Sequence, residues 1–569
     1  MTPKAKLSKL VLLTGALCLV VGSADAQSKR WRGSFKGNAA AVKKVPVKSW
    51  RAEDYPPETR EETQAEPQGT IASPPVVHGP RADVELPVTG GLIGGDRLDD
   101  GSVVFKAVPF ARPPVGNLRW TPPQPPLSWN GVRFETRGAP ACLQVPYGWN
   151  ADMAKTSSED CLYLEIRTPE IHPDAPLPVM VFVHGGANRA GNGAGTVMSG
   201  LVDEGVVLVS IQYRLGVFGF LSHPALTAEG EGASGNYALM DQIAALEWVR
   251  DNIAVFGGDP DNVTLFGHSA GAQDVGLLMA SPLAEGLFDK AIIQSGPPQF
   301  GLPPRTLAEN EAMGVELVRL YSPRAGERAP AGAEALEDLR RAPGIQLQEA
   351  ADKLRPPVDD ASFIWLQAVV DGHVLPKSPY EVFRAHNQAK VPLIIGTSAQ
   401  ELGLHGGDAA VYPTVHEAFG PNRMKALSFY GIDTKLRAKP DPVLGDTAMQ
   451  LSTDLMMRCP SDWTAWQVNA SGQGTWLYQL DVDASGGTAH HGSELAFVFN
   501  HRPEGKSARQ WPPLLEHWAR FAKTGDPNGE GLPFWPFYGT DGYYLQYEHK
   551  GPVARKGMRY EVCRYRDTP

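Results

Sequence analysis

Gly267-His268-Ser269-Ala270-Gly271 sets a serine between glycines at the end of a short β-branched and aromatic run, Val263 to Phe266. Asp259-Pro260-Asp261-Asn262 ahead of that run is turn chemistry, and Val275, Leu278 and Met279 behind it recur at helical spacing. The pattern predicts a turn, a buried strand, a sharp bend and a helix, the setting in which a Gly-x-Ser-x-Gly serine stands exposed at a strand's end. Flanking glycines allow a backbone too tight for larger residues. The helix N-terminus at the same spot favours negative charge there. Such a serine is suited to nucleophilic attack. A hydroxyl is a weak nucleophile near neutral pH, so it needs a base within hydrogen-bond reach and an acid to orient that base.

The elements that must bring those partners together are strands buried on both faces, because sites in doubly wound sheets gather at the strands' carboxyl ends. Val179 to Val183 is a continuous apolar run of that kind, Val206 to Ile211 is a second such strand interrupted only by Ser210, and Ala291 to Ile293 and Pro392 to Gly396 are further buried runs. Trp476 to Leu480 reads as the last main strand, and Pro512 to Lys523 as a closing helix. Leu239, Ile243, Leu246, Val249 and Ile253 share one helical face. Pro303 to Ala351 is helical and charged and is expected to pack as a cap. Alternating buried strands and helices imply a mainly parallel central sheet flanked by helices.

Loops after three of these strands carry Ser269, Glu401 and His491, in the nucleophile–acid–base order of α/β-hydrolases. His184-Gly185-Gly186-Ala187 follows another. Backbone N–H groups beside such small residues can approach a developing oxyanion, each donor being worth ~3 kcal/mol of barrier. Gly186, Ala187 and Ala270 are the expected donors.

The 569 residues suffice for a large core, and 42% hydrophobic with 20% charged content is ordinary for a globular protein. A net charge of -10 gives no support for nucleic-acid binding. Lys4, Lys6 and Lys9 precede the apolar run Leu10 to Val21, and Ala24-Asp25-Ala26 offers a cleavage site. That predicts a signal peptide over 1–26, export to the periplasm or the medium, and no stable membrane insertion after cleavage. Residues 27–83, rich in Pro, Glu, Lys and Ser without apolar period, read as a flexible leader, leaving 84–569 as the folded domain. After cleavage Cys142, Cys161, Cys459 and Cys563 remain, an even number that suggests disulfides in an exported chain. No Cys-x-x-Cys pair or HExxH helix occurs, so no metal is expected.

From about Val84 to Val562 the chain resembles the type-B carboxylesterases, the family that includes cholinesterases and several microbial lipases. The resemblance rests on Pro113 to Trp120, Glu159-Asp160-Cys161-Leu162-Tyr163-Leu164, His184-Gly185-Gly186-Ala187, Gly235 to Gln242, Asn252 to Gly271, and His491-Gly492-Ser493-Glu494-Leu495. It implies an α/β-hydrolase fold with a helical cap region, and ester hydrolysis through an acyl-enzyme without a cofactor. Ser269 matches the nucleophile, Glu401 the acid and His491 the base. His490 fits less well, since a glycine follows the family's catalytic histidine as Gly492 follows His491. Gly186, Ala187 and Ala270 match the oxyanion hole, and the family's bridges imply Cys142–Cys161 and Cys459–Cys563.

Two departures bear on substrate. His268 replaces the glutamate that usually precedes the nucleophile, and Asn188-Arg189 replaces an aromatic segment after the oxyanion glycines. Loss of a negative charge and gain of a guanidinium are the grounds for placing His268, Arg189 and Asn188 at a subsite for a small-molecule ester bearing a free carboxylate. Fumonisin-type tricarballylic esters are one candidate class. The alternatives are a lipase acting on acylglycerols and a non-catalytic cholinesterase-like binding protein.

Overall fold

The computed structural model describes residues 82–300, 304–321, 332–354, 368–432, 440–507 and 509–566. The expected signal segment, and the leader up to residue 81, lie outside the described residues.

Apolar runs with no polar alternation have no face to offer water, and they form the middle of one sheet. In chain order the strands are β1 (Val84–Val88), β2 (Gly91–Arg97), β3 (Val103–Pro109), β4 (Val132–Arg133), β5 (Tyr163–Thr168), β6 (Leu177–Val183), β7 (Val207–Ile211) and β8 (Gly258–His268). They continue with β9 (Lys290–Gln294), β10 (Arg305–Thr306), β11 (Val369–Val370), β12 (Leu393–Ser398), β13 (Thr475–Leu480), β14 (Tyr543–Glu548) and β15 (Gly551–Lys556). Thirteen of them form a sheet in the order β1-β2-β3-β5-β7-β6-β8-β9-β12-β13-β14-β15, with β4 beside β2. From β7 to β14 every neighbouring pair is parallel. This is the α/β-hydrolase arrangement.

Alternation along each strand divides the core into two layers. Val179, Val181 and Val183 of β6 join one apolar cluster with the helices Tyr237–Asn252 and Ala270–Ala280. Met180 and Phe182 face the other way, into a cluster with Leu514, Trp518 and Phe521 of the helix Leu514–Thr524. Covered on both faces, the middle strands hold their carboxyl ends in fixed register, and the site loops leave from those ends.

Three features differ from the sequence reading. The Asp259 to Asn262 cluster does not precede the strand but lies within β8, where the pairing shifts register between Leu177 and Val179 and Asp261 N–H donates to the Asp259 carboxylate at 3.1 Å. The turn chemistry makes an irregularity in the ladder rather than an end. β13 is not the last main strand either. β14 pairs with it in parallel, and β15 and a short helix, Tyr560–Cys563, follow. The sequence Tyr-Tyr-Leu-Gln-Tyr-Glu of β14 interleaves polar residues and so lacks a continuous apolar run. The closing helix therefore lies before these elements. The expected cap region forms helices Leu307–Tyr321, Ala333–Arg341 and Gly344–Ala351, whose Met313, Leu317, Leu336 and Leu347 pack into the first cluster without extending the sheet.

The four cysteines form the bridges Cys142–Cys161 and Cys459–Cys563, with Cα separations of 5.0 and 5.1 Å. Among the described residues no helix is long and apolar enough to cross a membrane.

Candidate active site

The bend between β8 and its helix explains both glycines. A Cβ on Gly271 would stand 2.2 Å from the Val183 carbonyl oxygen, and one on Gly267 would stand 2.5 Å from the Gly271 carbonyl. Only bare backbones pass at these distances. Between them Ser269 takes φ 58° and ψ -126°, a conformation costing a non-glycine residue about 1–3 kcal/mol. The surrounding contacts hold it there, and its side chain projects beyond the strand.

Ser269 Oγ lies 2.8 Å from His491 Nε2, and His491 Nδ1 lies 2.6 Å from Glu401 Oε2. Each residue is delivered from the carboxyl end of a parallel strand: Ser269 after β8, Glu401 after β12, His491 beyond β13. The Glu401 carboxylate also accepts from Ser398 N–H at 2.7 Å, and the Glu401 N–H donates to Thr453 Oγ1 at 3.1 Å. His490 is exposed and only its backbone is engaged, through Ser493.

Burial acts to lower the His491 pKa. The Glu401 hydrogen bond and the charges of Glu401 and Glu494 act the other way and prevail, so the pKa is raised. Glu494 is fully buried beneath this pair, accepting from Ser295 Oγ at 2.5 Å and from Ser398 Oγ at 3.2 Å. Desolvation first, and the Glu401 charge second, push its carboxyl above the usual range.

The oxyanion segment is a tight turn after β6. Gly186, Ala187 and Asn188 have φ of 123°, 57° and 53°. A Cβ on Gly186 would meet the Ala190 carbonyl oxygen at 1.8 Å. The Gly186 carbonyl accepts from Arg189 and Ala190 N–H, closing the turn. The N–H groups of Gly186, Ala187 and Ala270 donate to no backbone acceptor among the described residues. Behind the turn, His184 stacks on Tyr213 at 4.5 Å, and burial lowers its pKa to about 4, keeping it neutral.

The three substrate-contact expectations fare differently. Asn188 is turned inward, 1% exposed, and donates to the buried Asp274 carboxylate at 3.1 Å. Its expected subsite role is corrected by that burial. His268 is buried against the His491 ring, and its pKa is lowered well below 6.5, by desolvation first and by His491 second. It supplies no cation. Arg189 lies over the Tyr147 ring at 4.4 Å and pairs with Asp352 at 2.8 Å, so a carboxylate from the chain itself already answers its charge.

Sequence reasoning missed the residues behind these groups: Glu494 with Ser295 and Ser398, Thr453, Asp274 with Gln242, and Asp352 with Tyr147. It also missed the apolar wall beside the oxyanion turn, where Ala270, Phe300 and Met457 cluster with Ala187, Leu402 and Met456. Met456 and Met457 stand on the π-helical turn Asp454–Arg458. A π-bulge carries no signal in apolar spacing, although such turns are frequent at functional sites. Among the described residues no group of three or more His, Cys, Asp or Glu is placed to hold a metal ion.

Comparison with known proteins gives one answer. The model of the carboxylesterase family matches residues 82–565. Carboxylesterase 1D of Rattus norvegicus is 34% identical over 543 residues, covering 87% of this chain and 93% of that protein. The liver carboxylesterase of Sus scrofa is 33% identical over 548 residues, covering 88% and 94%. Among solved structures, a PNB esterase aligns with a TM-score of 0.70 at 29% identity over 84% of this chain and 99% of its own. The Geobacillus stearothermophilus carboxylesterase Est55 aligns with a TM-score of 0.69 at 30% identity, with the same coverage.

Proposed function

Because the chain belongs to the carboxylesterase family and is a carboxylic-ester hydrolase, we propose that Ser269, His491 and Glu401 carry the reaction through an acyl-enzyme. The observation that supports this is the unbroken pair of hydrogen bonds, Ser269 to His491 at 2.8 Å and His491 to Glu401 at 2.6 Å. Ser269 Oγ attacks the ester carbonyl carbon while its proton passes to His491 Nε2. Glu401 holds the other ring nitrogen protonated and stabilises the imidazolium that forms. The carbonyl oxygen becomes an oxyanion facing the N–H groups of Gly186, Ala187 and Ala270. Collapse breaks the bond to the alkoxide, which takes the proton from His491 and leaves as the alcohol. Water then gives its proton to His491 and attacks the acyl carbon; collapse breaks the bond to Ser269 Oγ, which takes the proton back from His491, and the carboxylic acid leaves. Mass-spectrometric mapping after a fluorophosphonate tests the assignment: the label belongs on Ser269, and labelling elsewhere with Ser269→Ala still active overturns it.

The ester is a small molecule, and its acyl side is apolar. Phe300, Leu402, Met456 and Met457 beside the oxyanion turn support this, since thioethers and an aromatic ring offer no partner to a charged group. The pairing of Arg189 with Asp352 and the neutrality of His268 weaken the case for an ester with a free carboxylate, fumonisin-type tricarballylic esters included. A neutral ester is the better fit. Export is part of the proposal: two disulfides suit an oxidising compartment, and the mature N-terminus is expected at Gln27.

A further inference from the structure

Asp274 lies on the helix that begins beside Ser269 and is fully buried. Its two oxygens accept from two neutral side-chain amides, Asn188 Nδ2 at 3.1 Å and Gln242 Nε2 at 2.6 Å. Burial pushes its pKa up to about 7, with both amide hydrogen bonds pulling against that. A carboxyl placed in the interior beside amides rather than a cation costs stability. The mechanism above makes no use of it.

Its position suggests a use. Asn188 is the third residue of the left-handed turn whose first two, Gly186 and Ala187, present the oxyanion donors. A run of positive φ at two non-glycine residues does not hold itself. Asn188 is fixed from several sides: its carbonyl accepts from Gly216 N–H at 2.6 Å, Tyr213 OH approaches its Oδ1 at 3.4 Å, and its amide reaches Asp274. The same Tyr213 hydroxyl donates to the His184 carbonyl at 2.6 Å, ahead of the turn. Of these ties, the one to Asp274 joins the turn to the helix that carries Ala270, the third donor, at its first position.

We propose that Asp274 is a positioning residue for ester hydrolysis: through Asn188 it sets the oxyanion turn against the nucleophile helix, so that the Gly186, Ala187 and Ala270 N–H groups converge on one point. This rests on the reading of those three groups as the oxyanion hole and of Ser269 as the nucleophile. Gln242, from the helix Tyr237–Asn252, fixes the other carboxyl oxygen and so prevents the Asp274 side chain from following Asn188 outward. A displacement near 1 Å in such donors is enough for about a hundredfold loss.

The test uses full-length protein with a p-nitrophenyl ester, a fluorophosphonate to count active sites, and a trifluoromethyl ketone that forms an oxyanion on Ser269. Per titrated site, Asp274→Ala and Asn188→Ala should each lower kcat by about tenfold to a hundredfold with little change in KM. Affinity for the ketone should fall by a similar factor. The double variant should be no worse than the poorer single one, because both break one link. Asp274→Asn should recover most of the loss, since the Asn188 amide can reverse and accept from the new amide. Should Asp274→Ala fail to fold, Asn188→Ala carries the same measurements. An unchanged kcat and ketone affinity in a folded variant, or additive losses in the double, overturn the positioning role. Fluorophosphonate that leaves wild-type Ser269 unlabelled instead overturns the nucleophile reading beneath it.

Discussion

The imidazole of His268 packs against that of His491, with ring centroids 4.8 Å apart and an angle of 43° between the planes. Its Nε2 points toward the buried Glu494 at 3.9 Å, beyond hydrogen-bond distance. Two imidazoles this close disfavour carrying charge together, and burial assigns the neutral state to His268. The proton therefore belongs to His491, the ring with the Glu401 carboxylate on its other nitrogen.

That arrangement fixes the sign of the pH dependence. A general base must be neutral, so kcat/KM falls as pH drops through the His491 pKa. The pKa is raised, so the acid limb should lie above the free-imidazole value of about 6.5. Glu401→Gln removes the Glu401 charge and weakens the hydrogen bond, so that burial acts downward against the Glu494 charge with less opposition. The limb should move to lower pH while the plateau falls. A wild-type limb well below 6, or an upward move in Glu401→Gln, would contradict this.

Ser269→Ala and His491→Ala should stay folded and each lose about four to six orders of magnitude in kcat, since members of a triad act as a unit. His490→Ala should stay within a few-fold of wild type, because that side chain is exposed and outside the hydrogen-bonded chain. Turnover of a chromogenic short-chain ester, with melting temperatures alongside, separates lost chemistry from lost fold. An active His491→Ala would remove the assignment of the base.

Ester charge should be governed by the Arg189–Asp352 pair. Wild-type kcat/KM is expected to favour a neutral ester over its isostere with a free carboxylate. Asp352→Asn should raise the anionic-to-neutral ratio by up to about tenfold, on the order of 1.5 kcal/mol, by removing the carboxylate that answers the guanidinium's charge while Tyr147 still holds its position. A wild type that already prefers the anionic ester would restore the carboxylate subsite. A ratio unmoved in Asp352→Asn would show that Arg189 does not reach the substrate.

Cys459–Cys563 spans 104 residues of sequence. In the chain-entropy model a loop of that size contributes about 4–5 kcal/mol, reduced by any native strain. Cys563→Ser should lower the denaturation midpoint accordingly in non-reducing urea titrations. Stability equal to wild type would mean that the bridge is not formed in solution. The Cys142–Cys161 loop is far shorter, so its removal should cost less.

The chemistry-bearing positions were legible in the sequence because local rules constrain them tightly. Glycines at 267 and 271 are demanded by backbone contacts within 2.5 Å, and the β-branched and apolar runs at the heart of β6, β7, β8 and β12 suit the middle of a doubly covered sheet. Those strands in turn aim the loops bearing Ala187, Ser269 and Glu401 at one edge. What surrounds these groups was decided by the tertiary structure alone. Asn188 and Arg189 are adjacent in sequence, yet Asn188 turns inward to Asp274, 86 positions away, and Arg189 reaches Asp352, 163 away. No periodicity links such partners, and whether a polar side chain meets solvent, substrate or a buried carboxylate depends on which distant backbone folds over it. The same holds for His268: its type suggested a cation, and burial against His491 made it neutral, because desolvation penalises charge whatever the sequence beside it.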